Sequence, residues 1–204
     1  MHSTRLISIL AFILTAFSVS AENAGQILDN AAKKISAAKS ITAKYSFVTT
    51  DGNSSGGTIT MSGEKFVMTS ADMTVWFDGK TLWSLIPANE EVNVSEPTAE
   101  ELRQINPIFI INAFRKTYTA SLVKKDASQT VITLKAKDAK ADISLATVIL
   151  NSSTLMPVTI SIKLASGQRA TIRISSLKTG EKLPDSTFRF DAKKHKGIEI
   201  IDLR

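Results

Sequence analysis

From Pro157 to Leu164 the chain alternates. Val158, Ile160, Ile162 and Leu164 are apolar, and Thr159, Ser161 and Lys163 between them are polar. Ile172 and Ile174 alternate in the same way with Thr171, Arg173 and Ser175. Successive side chains of a strand point to opposite faces, so this pattern describes an antiparallel sheet with one face on a core and one in water. Strand candidates follow one another through the second half: Tyr118–Lys124, Gln129–Ala136, Ile143–Leu150, Pro157–Leu164, Arg169–Leu177, and a final pair near Thr187–Phe190 and Ile198–Asp202. Turns recurring at roughly 8–12 residues predict a large curved sheet or a barrel.

The first half adds strands of its own. Asp78-Gly79 lies between the apolar runs Thr74–Phe77 and Thr81–Ile86. An Asp-Gly pair in that setting marks a tight hairpin, because glycine supplies the positive φ. Thr42–Thr50 carries Tyr45 and Phe47 on one face; residues 51–57 read as a loop by composition. Thr58–Met61 and Lys65–Thr69 form the next hairpin, with Phe66 and Met68 sharing a face, and Glu91–Ser95 is a further strand. Two helical stretches break the pattern. Ala24–Ile41 places Ala24, Ile27, Leu28, Ala31, Ile35 and Ala38 at helical spacing, a thin alanine-rich stripe suited to lying on a sheet. Thr98 with Glu101 forms a capping box that starts a helix to Ile105, and Pro107 then opens an apolar helix or turn over Ile108–Phe114.

The N-terminus reads as a cleaved secretory signal. It has a short basic start to Arg5, an apolar run over Leu6–Phe17, and small residues at Val19-Ser20-Ala21. The apolar run falls short of the roughly 20 residues a spanning helix needs. The division is therefore a signal over residues 1–21 and one domain over 22–204. The chain has no cysteine, so the core alone holds the exported domain, and no acylated cysteine can follow the signal. The natural compartment is a bacterial periplasm. The net charge of +6 is mild, and the lysines are spread along the chain. A nucleic-acid site would need a clustered basic stripe with aromatics, so no nucleic acid is expected as a partner.

A catalytic centre is hard to assemble from these residues. After the signal the only histidine is His195, set among Lys193, Lys194 and Lys196 as an exposed loop residue. Without cysteine or a second histidine, the usual zinc sites and Cys/His nucleophiles are not available. No G-x-S-x-G, P-loop or G-x-G-x-x-G run occurs. Glu90-Glu91 and Glu100-Glu101 fit a turn and a helix start. The expectation is a protein that is not an enzyme, with no cofactor and no metal. What remains is apolar surface: Thr81–Ile86 and Ile143–Leu150 are apolar on both faces. Either this is all core, or the curved sheet encloses an apolar cavity with the helices from Thr98 to Phe114 as its cover.

Five motifs in order resemble one family. They are the signal, the first amphipathic helix, Gly63-Glu64-Lys65-Phe66, Phe77-Asp78-Gly79-Lys80-Thr81-Leu82-Trp83, and Asn106-Pro107 with its apolar helix. The ending agrees as well: Phe188-Arg189-Phe190, then Gly197-Ile198-Glu199-Ile200-Ile201-Asp202. Together these resemble the outer-membrane lipoprotein carrier proteins, the LolA family, over nearly the whole exported chain. The resemblance implies a fold that is mainly β with α: an unclosed antiparallel β-barrel covered by a helical lid. It implies a monomeric periplasmic chaperone for acylated lipoproteins. Such a carrier accepts cargo from an inner-membrane ABC transporter and delivers it to an outer-membrane acceptor or to the membrane itself. A same-fold sensor or regulator, and a carrier of free envelope lipids, are the alternatives.

The residues expected to line the acyl-chain cavity are Tyr45, Phe47, Phe66, Met68, Trp83, Ile160 and Ile162. Those expected on the lid are Ile108, Phe109, Ile110, Ile111 and Phe114. One position departs from the family. An arginine shortly before the strand-entry phenylalanine is thought to hold the lid shut, but here Ser62, Gly63, Glu64 and Lys65 precede Phe66. Lys65 is the substitute at hand, and lysine lacks the forked geometry of arginine.

Overall fold

The computed structural model describes residues 23–204, so the expected signal over residues 1–21 and its cleavage site lie outside the described part. Helix α1 (Ala24–Ala37) starts at Asn23, whose side chain accepts from Gln26 N while the Gln26 side chain accepts from Asn23 N. This satisfies two of the free donors at the helix start. The helix ends earlier than its apolar spacing suggests, because Ser40 already belongs to a strand. Strands β1 (Ser40–Thr49), β2 (Ser54–Ser62), β3 (Lys65–Ser70), β4 (Thr74–Phe77), β5 (Leu82–Ile86) and β6 (Glu91–Ser95) follow. Helices α2 (Ala99–Ile105) and α3 (Phe109–Thr117) interrupt the sheet. Then come β7 (Tyr118–Lys125), β8 (Gln129–Ala136), β9 (Ile143–Asn151), β10 (Pro157–Leu164), β11 (Arg169–Gly180) and β12 (Glu199–Asp202).

All twelve strands join one sheet, in the order β12-β6-β5-β4-β3-β2-β1-β11-β10-β9-β8-β7. Among the described strands only β12 and β6 pair in parallel. The edges β12 and β7 do not pair with each other, so the barrel is unclosed. The fold is mainly β with α, an open antiparallel barrel with helices, as expected. On the concave face one core gathers Ile27, Leu28, Ala31 and Ile35 of α1 and Ile110, Ile111 and Phe114 of α3. It also takes the inward side chains of the strands, among them Ile41, Ala43, Phe66, Phe77, Ile132, Leu134 and Val148.

Three expectations are corrected. Residues 54–57, expected in a loop, begin β2. Gly56 and Gly57 belong to a strand here because the neighbouring chains come close. A Cβ on Gly57 would stand 1.8 Å from the Thr69 carbonyl oxygen, and one on Gly56 2.9 Å from that of Tyr45. The segment Thr187–Phe190 is not a strand; Asp185–Phe188 is a short 3₁₀ turn that follows Pro184 and plugs a buried Phe188 onto the outer face. Trp83 does not line the inside of the barrel. It sits directly opposite Trp76, and Trp76 packs edge-on against Phe190 and His195 at 5.7 Å each.

That outer face carries a second apolar layer. Leu85, Val92 and Val94 are buried there with Phe188, apart from the concave core. Residues 181–198 cross it, and His195 stacks on Phe190 at 5.0 Å rather than standing free in a loop. The Asp78-Gly79 turn anchors this crossing segment. Asp78 Oδ1 accepts from Lys80 N (3.0 Å) and Thr81 N (2.9 Å), and Arg189 Nε stands 2.9 Å from Asp78 Oδ2. Burial alone would push the Asp78 carboxyl up. The two backbone donors and the Arg189 guanidinium outweigh it and hold the group below the usual carboxylate range. Gly79 takes φ of 102°, which the turn requires and other residues resist.

Candidate functional site

The concave face does not pack shut everywhere. A cavity of about 260 Å³ opens between the sheet and the chain that joins α2 to α3. Its wall follows from register. Ile160, Ile172, Phe47 and Ser55 oppose one another across β10, β11, β1 and β2, and Ile174, Tyr45, Gly57 and Ser70 form the next row across β11, β1, β2 and β3. Ile59 and Met68 oppose each other in the row beyond. All but Gly57 line the cavity. The wall is therefore aliphatic and aromatic, with the Ser55 and Ser70 hydroxyls at its margin. Burial among these groups raises the Tyr45 hydroxyl pKa above its ordinary value.

The cover is formed by Gln104, Ile105, Asn106, Pro107 and Ile108. Asn106 is the junction of this segment. It is buried, its N–H closes α2 onto the Leu102 carbonyl (2.8 Å), its carbonyl accepts from Phe109 N (3.1 Å), and its Oδ1 accepts from Ile108 N (3.2 Å). Its Nδ2 has only the soft Met61 Sδ at 3.8 Å. Gln104 Nε2 ties the end of α2 to Asp142 Oδ2 at 3.0 Å. Helix α2 itself buries no residue fully, and its start is a capping box between Thr98 and Glu101. Helix α3 is different: Ile110, Ile111 and Phe114 are sunk in the core. Arg115 Nε reaches Asp29 Oδ1 of α1 at 2.8 Å, with a second bond from Nη2 to Oδ2.

A polar knot lies under α2. Arg103 pairs with Glu100, and the buried Tyr118 hydroxyl lies near them. Burial raises the Tyr118 pKa, the Glu100 charge adds to it and Arg103 opposes it. Glu100 Oε1, Arg103 Nε and the Tyr118 hydroxyl make no hydrogen bond within the described chain. A second hollow of about 270 Å³ borders Arg103, Leu102, Phe77 and Phe109. Among the described residues there is no group of three or more side chains placed to hold a metal ion. No helix among them is long and apolar enough to cross a membrane.

Of the cavity residues expected from sequence, Tyr45, Phe47, Met68, Ile160 and Ile162 line the main cavity. Phe66 faces the same side but is fully buried between Phe77 (5.5 Å) and Phe109 (5.8 Å). Trp83 is on the opposite face. Of the expected lid residues only Ile108 touches the main cavity; Phe109 borders the second hollow, and Ile110, Ile111 and Phe114 are core. The apolar lining residues of the sheet that were not anticipated are Ile59, Ala170, Ile172 and Ile174, and on the cover Ile105 and Asn106 were missed as well, among others. Ile172 and Ile174 were visible as an alternating pair; which face enclosed space was not. Lys65, the substitute for the lid-holding arginine, salt-bridges Asp185 of the 3₁₀ turn at 2.7 Å and so does not reach the helices.

The fold and the cavity define a class: an open β-barrel that holds apolar space under a helical cover. Residues 14–168 match the family described as outer membrane lipoprotein carrier protein LolA, and the chain belongs to that family. No curated protein matches it by sequence. Among solved structures, an uncharacterized conserved protein from Thermus thermophilus shares 9% identity, with 87% of this chain and 97% of that one covered at a TM-score of 0.60. A DUF1329 family protein from Desulfovibrio piger shares 12% identity over 84% of this chain and 99% of that one, at a TM-score of 0.51. A LolA superfamily protein from Nitrosomonas europaea aligns at 14% identity over 83% and 98%, with a TM-score of 0.45. At these identities the first two share the fold.

Proposed function

We propose that this protein is a periplasmic, non-enzymatic carrier that takes the acyl chains of lipoproteins into its concave cavity and moves them from the inner to the outer membrane. The observation that carries the proposal is the 260 Å³ cavity with an aliphatic and aromatic wall and a cover that is itself apolar at Ile105 and Ile108. An acyl chain in water costs about 0.8 kcal/mol per CH₂, so an anchor of several chains does not cross an aqueous space unescorted. An apolar wall removes that cost without directional bonds. Membership of the lipoprotein carrier family supports this cargo. The donor in this reading is an inner-membrane ABC transporter and the recipient an outer-membrane acceptor, and the same membership supports that route.

The cavity at rest is smaller than the roughly 300–1,000 Å³ of common ligand sites, so cargo requires the cover to move. Closure after release reburies Ile105 and Ile108, which competes with the cargo and keeps binding reversible. The test is purification from the cell envelope, native mass spectrometry and lipid extraction. A bound triacylated lipoprotein is the expected result. Phospholipid alone would favour a carrier of free envelope lipids, and no acyl ligand under any condition would overturn both.

A further inference from the structure

The outer, convex face of the barrel opposite the cavity has an ordered charge pattern. Strands β1, β2 and β7–β11, contiguous in the sheet, contain no aspartate or glutamate. Their outward positions fall into transverse rows set by the pairing. One row runs Arg169, Lys163, Leu145, Lys135 across β11, β10, β9 and β8. The next runs Thr171, Ser161, Thr147, Thr133 across the same strands, and Ser161 and Thr171 share a hydrogen bond of 3.0 Å. The row after that holds Arg173 beside Ser46 and Thr159. Lys44 and Lys178 follow further along β1 and β11. A row with three cations thus lies on one side of the row of hydroxyls, with Arg173, Lys44 and Lys178 in successive rows on the other.

Five of the six cations, Lys44, Lys135, Arg169, Arg173 and Lys178, are exposed; Lys163 is half-buried. None of the six is in an ion pair among the described residues, whereas Lys39, Lys65, Lys80 and Lys124 elsewhere each have a carboxylate partner. Arg169 and Lys163 stand directly opposite each other on one face, an arrangement that costs a sheet stability. A face selected only for solubility would intersperse both signs.

We propose that this convex face docks on the anionic headgroups of a phospholipid bilayer. Protein interfaces are anchored by buried aromatics. The aromatics of these strands, Tyr45, Phe47 and Tyr118, all lie on the inner side or in the core, so the outer face has no such anchor. Unpaired point charges with a row of hydroxyls between them match a layer of phosphates instead. Each lysine or arginine close to an anionic membrane adds to the attraction, which falls away within a Debye length. Docking by this face leaves the cavity on the opposite side of the sheet. It is independent of what the cavity holds, and it fits a protein that leaves the membrane readily.

The test is co-sedimentation of the mature chain with vesicles of phosphatidylcholine alone or mixed with phosphatidylglycerol. Binding is expected to the anionic vesicles only, and to be lost at high salt. The triple variant Lys44→Gln/Lys163→Gln/Arg173→Gln should bind about 100-fold more weakly. Its circular dichroism and urea midpoint serve to show that it still folds. A control, Lys33→Gln/Lys116→Gln/Lys193→Gln, removes as much charge from other exposed places and should bind as the parent does. Equal loss in both variants would reduce the effect to net charge and overturn the docking face. No binding of the parent to anionic vesicles, or binding to a soluble acidic polypeptide such as polyglutamate in place of vesicles, would overturn the lipid as partner.

Discussion

Helices α2 and α3 follow each other with three residues between them, yet they do opposite things. Helix α3 buries Ile110, Ile111 and Phe114 completely and is clamped to α1 through Arg115 and Asp29. Helix α2 buries nothing completely; Leu102 and Ile105 only lean on the core. Full burial of an aliphatic or aromatic side chain is worth about 1.5–3 kcal/mol, so lifting α3 would cost roughly 5–9 kcal/mol. That approaches the 5–15 kcal/mol typical of a whole domain. Lifting α2 with its two half-buried side chains costs about 1–3 kcal/mol, which leaves an open state populated at roughly the per cent level. The more apolar helix is therefore part of the scaffold, and of the two helices α2 is the one that can lift at low cost. An apolar helix near a cavity is not for that reason its lid.

The largest effect that separates the two helices is on stability. Ile111→Ala leaves a cavity in the core and should lower stability by about 2–5 kcal/mol, read as a fall in the urea midpoint. Ile105→Ala should cost no more than about 1 kcal/mol. Equal losses would erase the distinction. Ile111→Glu places an unpaired carboxylate in the same site and is expected to unfold the protein rather than to produce a folded, non-binding one.

Next in size is a change at the wall. Phe47 lines the cavity and is only half-buried, so Phe47→Glu should keep the β-sheet circular dichroism. It should weaken binding of a fluorescent fatty acid by at least about tenfold, because a carboxylate must then be desolvated against the chain. Unchanged binding would move the ligand out of this cavity. A smaller effect is expected from Thr98→Ala. Loss of the α2 cap is worth about 1 kcal/mol and should speed hydrogen exchange over Ala99–Ile105 about fivefold, with exchange over α3 unchanged.

The smallest effect concerns the clamp on α3. The hydrogen bonds from Arg115 lower the Asp29 pKa; burial opposes them, and the charges of Arg115 and Lys33 add to the lowering. A lowered folded value stabilises the protein above the unfolded pKa, near 3.8, and the contribution disappears as pH falls through the folded value. Asp29→Asn should thus be slightly less stable than the parent at neutral pH, and the two urea midpoints should converge below pH 3.8. A difference that persists in acid would mean that Asp29 acts by packing.

Much of this was legible in residues. Gln129–Ala136 and Pro157–Leu164 are the strands that alternation predicts, and Thr98 with Glu101 caps α2 as its spacing requires. Alternation failed where both faces are covered. Apart from Ser84, Leu82–Ile86 is apolar on both faces because Leu82 faces the concave core while Trp83 and Leu85 face the outer layer under residues 181–198. No local pattern tells a strand which of two apolar faces encloses space. The division of labour between α2 and α3 was hidden for a related reason. Helical spacing shows that Ile110, Ile111 and Phe114 share a face, and only the packing of α1 over them shows that the face is occupied.

The most direct test is hydrogen exchange by mass spectrometry on the protein with and without a triacylated lipopeptide. A moving α2 on a fixed α3 predicts altered exchange over Ala99–Ile105 and the linking residues 106–108 on loading, with the amides of Phe109–Thr117 protected to the same degree in both states. Exchange over α3 that rises together with α2 on loading, or loading that leaves α2 untouched, would contradict it.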